Sequence, residues 1–279
     1  MFLSNTSKTA DKKLEEVLSL LKKHSLVDGI LLTGSAANKT MHDSSDFDLA
    51  CVVRNLPKNI LGINTFIDNK FAEIFFYSPE EVERALQEKT VALNTKNGWI
   101  ANWSRDGQII LDKSGVLAKL KDKSKKMKNQ VSDTLAYRSW HDINYNFIQN
   151  SRYFHSDKKS YLQALDIKFL YSLVEIMVGY FNIRKISWKG EKDAVEWLKK
   201  NDQNFLQIFQ SCMTEKDRAK KMILYETLAN TVLEPAGGLW QKTTTSMVTM
   251  GEIDKDTIKN GLNFWEGLLG LFDNMSQKC

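Results

Sequence analysis

Two apolar segments joined by a polar crossing constrain this chain more than any other feature. The first covers residues 29–33 and ends in Gly34-Ser35, and the second covers residues 45–53 and carries Asp46 and Asp48. Alternate residues of a strand point to the same face, so the two aspartates should project together. Neighbouring carboxylates repel each other unless a cation lies between them. The segment therefore predicts two strands with a metal-binding end.

The turn between the segments has the features of a phosphate site. Gly34 allows a ligand to approach the backbone closely, and Ser35 is expected to begin a short helix whose free N–H groups favour a phosphate. Mg²⁺ prefers carboxylate oxygens together with phosphate oxygens. The sequence thus places a phosphate site at Gly34 and Ser35 and a magnesium site at Asp46 and Asp48.

These residues resemble the signature of the DNA polymerase β-like nucleotidyltransferase superfamily. Its members carry Gly-Ser at a strand end, Asp-x-Asp about a dozen residues later, and a third carboxylate on a later strand. Here twelve positions separate Gly34 from Asp46. The resemblance implies a small mixed sheet, two Mg²⁺ ions, and an NTP, with ATP as the first choice.

The chain departs from that pattern after the serine. Small-molecule members often read Gly-Ser-Arg-x-Arg-Gly, whereas this sequence has Ala36, Asn38 and Lys39. Lys39 can replace an arginine as a point charge near the triphosphate, but it lacks the bidentate geometry of a guanidinium group.

A third acid is expected within the run of residues 70–77. Glu73 is the only acid in this strand-like segment. A glutamate is seldom buried in such an apolar run unless its charge is paired. The resemblance implies that Glu73 joins Asp46 and Asp48 as a metal ligand and can deprotonate the acceptor hydroxyl. A solvated edge-strand glutamate is the alternative. Downstream, Ser78-Pro79-Glu80-Glu81 reads as a capping box that begins a helix over 79–93.

In the second half of the sequence, apolar residues recur with the spacing of α-helices. We place the domain boundary near residue 113, with a nucleotidyltransferase domain over 1–113 and a helical acceptor-binding domain over 114–279. The predicted fold class is α+β, with a C-terminal helical bundle. The predicted helix 161–182 is apolar on nearly every side and should be central. It carries a polar stripe, defined here as Lys168, Ser172, Glu175, Gly179 and Asn182.

The same helix resembles, over a short stretch, the helix of kanamycin nucleotidyltransferase and its relatives that supplies a general base. The family pattern Val-Glu-Glu-x-x-Glu-Tyr corresponds to residues 174–180, which puts Gly179 at the base position. Glu175, one turn earlier, is then the available base and competes with Glu73 for that role. A solvent-facing stripe is the alternative. Asp166 is expected to pair with a cation, Lys192 or Arg138.

Charge distribution, cysteine spacing and hydropathy narrow the classes of protein to which this chain can belong. The net charge of +5 lies wholly after residue 120, and residues 119–128 hold six lysines, a run typical of a solvated helix face or of attraction to RNA. Cys51, Cys212 and Cys279 show no metal-site spacing, and no apolar run reaches membrane-spanning length. These observations predict a cytoplasmic protein with no membrane partner, and they leave the oligomeric state open.

The combined prediction is a metal-dependent nucleotidyltransferase. It moves a nucleoside monophosphate, AMP from ATP as the first choice, to a hydroxyl of a small molecule such as an antibiotic, and it resembles the aminoglycoside- and lincosamide-type enzymes. Two alternatives stay open. One is a toxin-type enzyme that modifies tRNA or a protein. The other is a nucleotide-binding regulator that has lost turnover.

Overall fold

The computed structural model describes residues 12–57, 59–248 and 251–269. The chain forms two compact units, one ending at Gln130 and the other beginning at Val131. The first contains a small mixed sheet with helices and the second is helical, which confirms the predicted α+β class. The helix that follows the boundary predicted near residue 113 buries Leu117 and Leu120 in the core of the first unit.

The first unit alternates strands and helices. Its elements are α1 (Leu14–Lys23), β1 (Val27–Thr33), α2 (Gly34–Ala37), β2 (Phe47–Val53), β3 (Gly62–Ile67), β4 (Lys70–Tyr77), α3 (Pro79–Gln87), β5 (Thr90–Val91), α4 (Lys96–Asp106), β6 (Gln108–Asp112), α5 (Val116–Ser124) and β7 (Lys128–Asn129). The strands expected over the apolar segments 29–33, 45–53 and 70–77 are confirmed. The sequence also predicts a short strand at 107–112, which β6 confirms. The spacing of apolar residues also predicts an amphipathic helix over 9–24, which α1 confirms in its described part, and residues 9–11 lie outside the described residues.

The main sheet has the strand order β3-β4-β2-β1-β6. Only β2 and β4 run parallel to each other, and the other neighbours are antiparallel. The register places Asp48 of β2 between Thr33 of β1 and Glu73 of β4. Paired residues of adjacent strands share a face, so Asp48 and Glu73 project from the same side of the sheet.

The two faces of the sheet are covered differently. One face packs on α1 through a core that includes Val17, Leu49 and Ile74. The face that carries Asp48 packs on α3, α4 and α5, and its core includes Ala50 and Tyr77. Asp48 and Glu73 lie outside that core and are partly exposed. The acids therefore occupy the uncovered end of an otherwise packed face.

Helix α3 begins as predicted but ends early. The Ser78 side chain accepts a hydrogen bond from the Glu81 backbone N–H, and the Glu81 carboxylate accepts one from the Ser78 N–H, which completes the capping box. The helix stops at Gln87 rather than at residue 93. Residues 90–91 instead pair with residues 128–129 in a two-stranded sheet, an interaction between distant segments.

The second unit consists of helices around one core. Its elements are α6 (Asp133–Phe154), α7 (Lys159–Ile183), α8 (Glu191–Asn201), α9 (Gln203–Thr214), α10 (Arg218–Leu233), a 3₁₀ turn (Glu234–Ala236) and α11 (Lys255–Leu268). Helix α7 supplies much of the core, as expected, although Leu170 and Val174 on one of its faces are exposed. The sequence also predicts a last helix over 254–273, which agrees with α11, and residues 270–273 lie outside the described residues. In the described parts of the chain, no helix has the length and apolarity to cross a membrane.

The cysteines agree with a structural role. Cys51 in β2 and Cys212 in α9 are buried and free. Burial raises the pKa of the Cys51 thiol to about 12, so it stays protonated and unreactive. Cys279 lies outside the described residues.

Candidate active site

Three carboxylates meet at the uncovered end of the sheet. Asp46, Asp48 and Glu73 each offer an oxygen atom, and these three atoms lie within 4.8 Å of one another. We call these residues the acidic triad. Asp46 directly precedes β2, and Asp48 is directly opposite Glu73 in the parallel β2–β4 pairing. The strand register therefore brings together the three acids that were predicted from the sequence as metal ligands.

The surroundings of the acidic triad suit a divalent cation. Within the described ranges, no lysine, arginine or histidine forms an ion pair with Asp46 or Glu73. Carboxylates this close repel each other. Carboxylate oxygens are also the ligands that Mg²⁺ prefers. The donor set and its clustering fit a magnesium site.

Gly34 lies against the acidic triad. Its φ of +65° is in the left-handed region, which glycine adopts without strain, and a Cβ built on it would lie 2.4 Å from Asp48 Oδ2. Both the backbone conformation and the close approach require glycine. The turn at the end of β1 therefore contacts a member of the acidic triad. The sequence spacing predicted only that the turn and the acids are near each other.

Ser35 carries an orphaned polar atom. Its Oγ is buried and has no hydrogen-bond partner among the described residues. Ser35 lies in the first turn of α2, a four-residue helix from Gly34 to Ala37, and the leading N–H groups of a helix have no intrahelical partner. A ligand with phosphate oxygens would supply acceptors for these donors. The turn fits the predicted phosphate site.

The crossing between α2 and β2 is held by a lysine that sequence reasoning missed. Lys70 Nζ of β4 donates to the His42 and Asp43 carbonyl oxygens, each at 3.0 Å. This contact fixes the segment that leads into Asp46. No sequence signal marks it, because the partners are backbone atoms. Lys39 is exposed, adopts a φ of +56°, and makes no ion pair within the described residues.

Glu175 lies in the second unit, on α7, in a polar network with α6. Asn146 Nδ2 donates to Glu175 Oε2 at 2.6 Å, and Lys168 Nζ donates to Asn146 Oδ1 at 2.7 Å. Burial raises the pKa of Glu175 to about 7, and the nearby Asp142 charge adds to the rise. The Asn146 hydrogen bond and the Lys168 charge oppose it. A carboxyl group with this pKa can exchange a proton near neutral pH.

The rest of the polar stripe faces α6 and is buried, so it does not face solvent. Asn150 Nδ2 donates to Ser172 Oγ at 3.1 Å, and Asn182 Nδ2 donates to Ser139 Oγ at 2.9 Å. A Cβ on Gly179 would lie 2.4 Å from Ile143 Cδ1. Gly179 is thus where the two helices approach closely, and no carboxylate would fit there.

Two further expectations about charged residues have clear outcomes. Asp166 pairs with a cation as predicted, but the partner is Arg218, with Nε–Oδ1 at 2.8 Å, rather than Lys192 or Arg138. In the lysine run, Lys121 and Lys123 donate to the carbonyl oxygens of Gly107 and Leu86. Part of that run therefore stabilises the fold.

The acidic triad lies within a segment that matches a known family model. Residues 12–141 match the family model described as Nucleotidyltransferase domain. No curated protein matches the sequence. Among solved structures, the chain is similar to a nucleotidyltransferase-like protein from Exiguobacterium sibiricum 255-15, with 12% identity, a TM-score of 0.46, and coverage of 79% of this chain and 73% of that chain. The family match identifies the N-terminal part as a nucleotidyltransferase domain, which supports a general function in nucleotidyl transfer.

Proposed function

We propose that this nucleotidyltransferase domain transfers a nucleoside monophosphate from an NTP, ATP as the first choice, to a hydroxyl group of a small molecule such as an antibiotic. The observation that carries the proposal is the acidic triad beside Gly34. The triad supplies oxygen ligands for Mg²⁺, and the adjoining turn supplies donors for phosphate oxygens. The candidate metal ligands and the candidate phosphate donors therefore lie at the same end of one sheet.

Each residue has a distinct role in this proposal. Asp46, Asp48 and Glu73 would hold Mg²⁺, which when bound offsets the charge on the attacking and leaving oxygens of an in-line displacement. Gly34 and Ser35 would bind and orient the triphosphate, and Lys39 would add a point charge near it. The acceptor oxygen forms a bond to the α-phosphorus, the bond to pyrophosphate breaks, and the hydroxyl proton passes to a base.

Glu175 is our proposed base, with Glu73 as its competitor. Its raised pKa, caused mainly by burial, supports a group that is partly protonated at neutral pH and therefore exchanges a proton readily. Glu73 belongs to the acidic triad, so metal binding would keep it ionised and reduce its basicity.

The test is a transfer assay with the full chain. Labelled ATP and Mg²⁺ are incubated with a panel of hydroxyl-bearing small molecules, with total RNA, or with protein acceptors, and pyrophosphate release is measured. The proposal expects Mg²⁺-dependent release and label on a small molecule. Label on RNA or protein would favour the toxin-type alternative, and nucleotide binding without any release would favour the regulator.

A further inference from the structure

An aromatic pair lies on the same sheet face as the acidic triad. Phe66 of β3 and Phe71 of β4 are directly paired, with ring centroids 5.9 Å apart in an edge-to-face arrangement. They are 53% and 41% exposed. Phe71 is two residues before Glu73 on β4, so both side chains point to the same face. Asn64, opposite Glu73 on β3, is also exposed.

Among the described residues of the first unit, the two rings contact each other and still remain exposed. On the same face, Phe75 packs on Trp99 and Trp103, with centroid distances of 6.2 and 4.9 Å. The aromatic pair lies beyond that packed region, next to the acids. Aromatic side chains next to a few convergent polar groups are typical of ligand-binding sites.

The strand order decides which substrate the aromatic pair would contact. Gly34 follows β1, the acidic triad lies at the start of β2 and on β4, and the aromatic pair lies on β4 and β3, so the triad separates the pair from the phosphate turn. In an in-line displacement, the attacking and leaving oxygens lie on opposite sides of the phosphorus. With pyrophosphate at Gly34, the attacking hydroxyl approaches from the side of the aromatic pair.

We propose that Phe66 and Phe71 form the acceptor platform, and that the acceptor is an uncharged hydroxyl-bearing molecule with a flat ring that packs on these side chains. This inference rests on the proposed function. An aromatic face attracts planar rings by stacking, and Asn64 offers a neutral donor and acceptor beside Glu73.

Charge favours a neutral small molecule over RNA at this platform. Between Gly62 and Tyr77, Lys70 is the only cation, and its ammonium group already binds two carbonyl oxygens. RNA binding depends strongly on lysine and arginine contacts to phosphates. The hairpin offers a stacking surface without those contacts.

The experiment measures binding directly, so it does not depend on turnover. Phenyl β-glucoside and methyl β-glucoside, which differ in the flat ring, are titrated by ligand-observed NMR into the full chain with Mg²⁺ and a non-hydrolysable ATP analogue. The phenyl compound should bind at least about tenfold more tightly, in line with the stacking energies of aromatic side chains. That advantage should disappear in Phe71→Ala and Phe66→Ala.

Two further variants control the result. Ile63 on β3 is 47% exposed and pairs with Ile74 on the opposite face, so Ile63→Ala should keep the ring preference. Phe71→Leu keeps an apolar side chain but removes the aromatic face, and it should lose the preference without unfolding the hairpin. Unfolding midpoints identify any variant that fails to fold.

The outcomes separate the two proposals. Equal binding of both glucosides, or a ring preference that survives in Phe71→Leu, overturns the acceptor platform even when Mg²⁺-dependent pyrophosphate release is normal. A preference that depends on Phe71, with no pyrophosphate release from any acceptor, supports a ring-binding site at Phe66 and Phe71 but overturns the proposed function, and with it the assignment of the bound molecule as an acceptor. Salt-sensitive binding of a short RNA through Phe71 would overturn the assignment to an uncharged acceptor.

Discussion

The backbone of Gly34 contacts the Asp48 carboxylate so closely that a Cβ at position 34 would lie 2.4 Å from Asp48 Oδ2. This relationship links the phosphate turn to the acidic triad. The sequence predicted that glycine at this position lets a phosphate ligand approach the backbone closely, so that a side chain here would hinder the ligand. The structure shows that it would first displace a carboxylate, so the consequences of substitution should include the metal site.

Gly34→Ala should therefore lower Mg²⁺ affinity as well as NTP affinity. A displacement of Asp48 by about 1 Å should reduce the transfer rate by roughly 10²-fold. The left-handed backbone should also cost about 1–2 kcal/mol of stability. Calorimetric titration with Mg²⁺ and with a non-hydrolysable ATP analogue measures both affinities.

Gly115→Ala is the matched control for that prediction. Gly115 has a similar φ of +73°, but nothing lies within 4 Å of a Cβ placed there. The two variants should lose similar stability, and only Gly34→Ala should lose Mg²⁺ binding. Unchanged Mg²⁺ affinity in Gly34→Ala would show that Asp48 does not hold the metal.

Asp46→Asn should nearly abolish transfer while the fold remains intact. Removing one charged ligand from the acidic triad should cost at least about 10²-fold in rate. Without metal, the variant should be as stable as the wild type or more so, because it relieves repulsion between carboxylates. Asp68→Asn, which makes the same charge change in the exposed β3–β4 turn, should leave the rate unchanged. A near-wild-type rate in Asp46→Asn would contradict the metal assignment.

Local sequence patterns predicted the strands that carry the candidate site, and long-range contacts account for what they missed. Residues 46–53 and 70–77 show apolar patterns that predict strands, but only the β2–β4 pairing puts Asp48 opposite Glu73. Strand β3 was missed because Gly62 and Asn64 interrupt its apolar pattern, and pairing with β4 stabilises it. Helix α4 was missed because Gly98 lowers its helical propensity.

The polar stripe of α7 illustrates a limit of helical periodicity. Periodicity places Ser172, Glu175 and Asn182 on one side of the helix, but it does not show what packs there. Helix α6 covers that side and supplies Asn146 and Asn150 as partners. Asparagines within an aromatic-rich helix were the available signal for such a network, since buried polar groups need hydrogen-bond partners.

Gly179→Ala should destabilise the second unit through its contact with Ile143. The new methyl group would lie 2.4 Å from Ile143 Cδ1, and overpacking of this kind typically costs about 1–3 kcal/mol. Ile143→Val deletes that methyl group. In the Ile143→Val background, Gly179→Ala should instead stabilise, by up to about 1 kcal/mol from helix propensity. Urea unfolding of the four proteins measures the coupling, and additive effects would contradict the contact.

Glu175→Gln should change how stability depends on pH. Burial raises the pKa of Glu175 from 4.5 to about 7. Between these values the folded chain binds more protons than the unfolded chain, so the contribution of Glu175 to stability falls as pH rises through this window and levels off above it. The variant should lack that decline and be relatively more stable at pH 8 than at pH 4.5. Parallel wild-type and variant unfolding profiles would contradict the raised pKa.

The last prediction concerns the base. If Glu175 accepts the hydroxyl proton, it must be ionised, so the transfer rate should rise with pH through about 7. Glu175→Gln should lower the rate by roughly 10²- to 10⁴-fold, while Mg²⁺ and NTP binding remain. It should also remove the acid limb, which is the part of the pH–rate profile where the rate rises with pH. Asn146→Ala removes a hydrogen bond that lowers the pKa of Glu175, so its acid limb should move to higher pH.

Asn150→Ala is the control for Asn146→Ala, because Asn150 lies on the same helix and bonds to Ser172 instead of Glu175. Its acid limb should stay in place, which separates an effect on proton transfer from a general loss of α6–α7 packing. Normal transfer by Glu175→Gln to every acceptor tested would rule out Glu175 as the base. Glu73 or a metal-bound water would then accept the proton, and Glu73→Gln should lose metal affinity and turnover together.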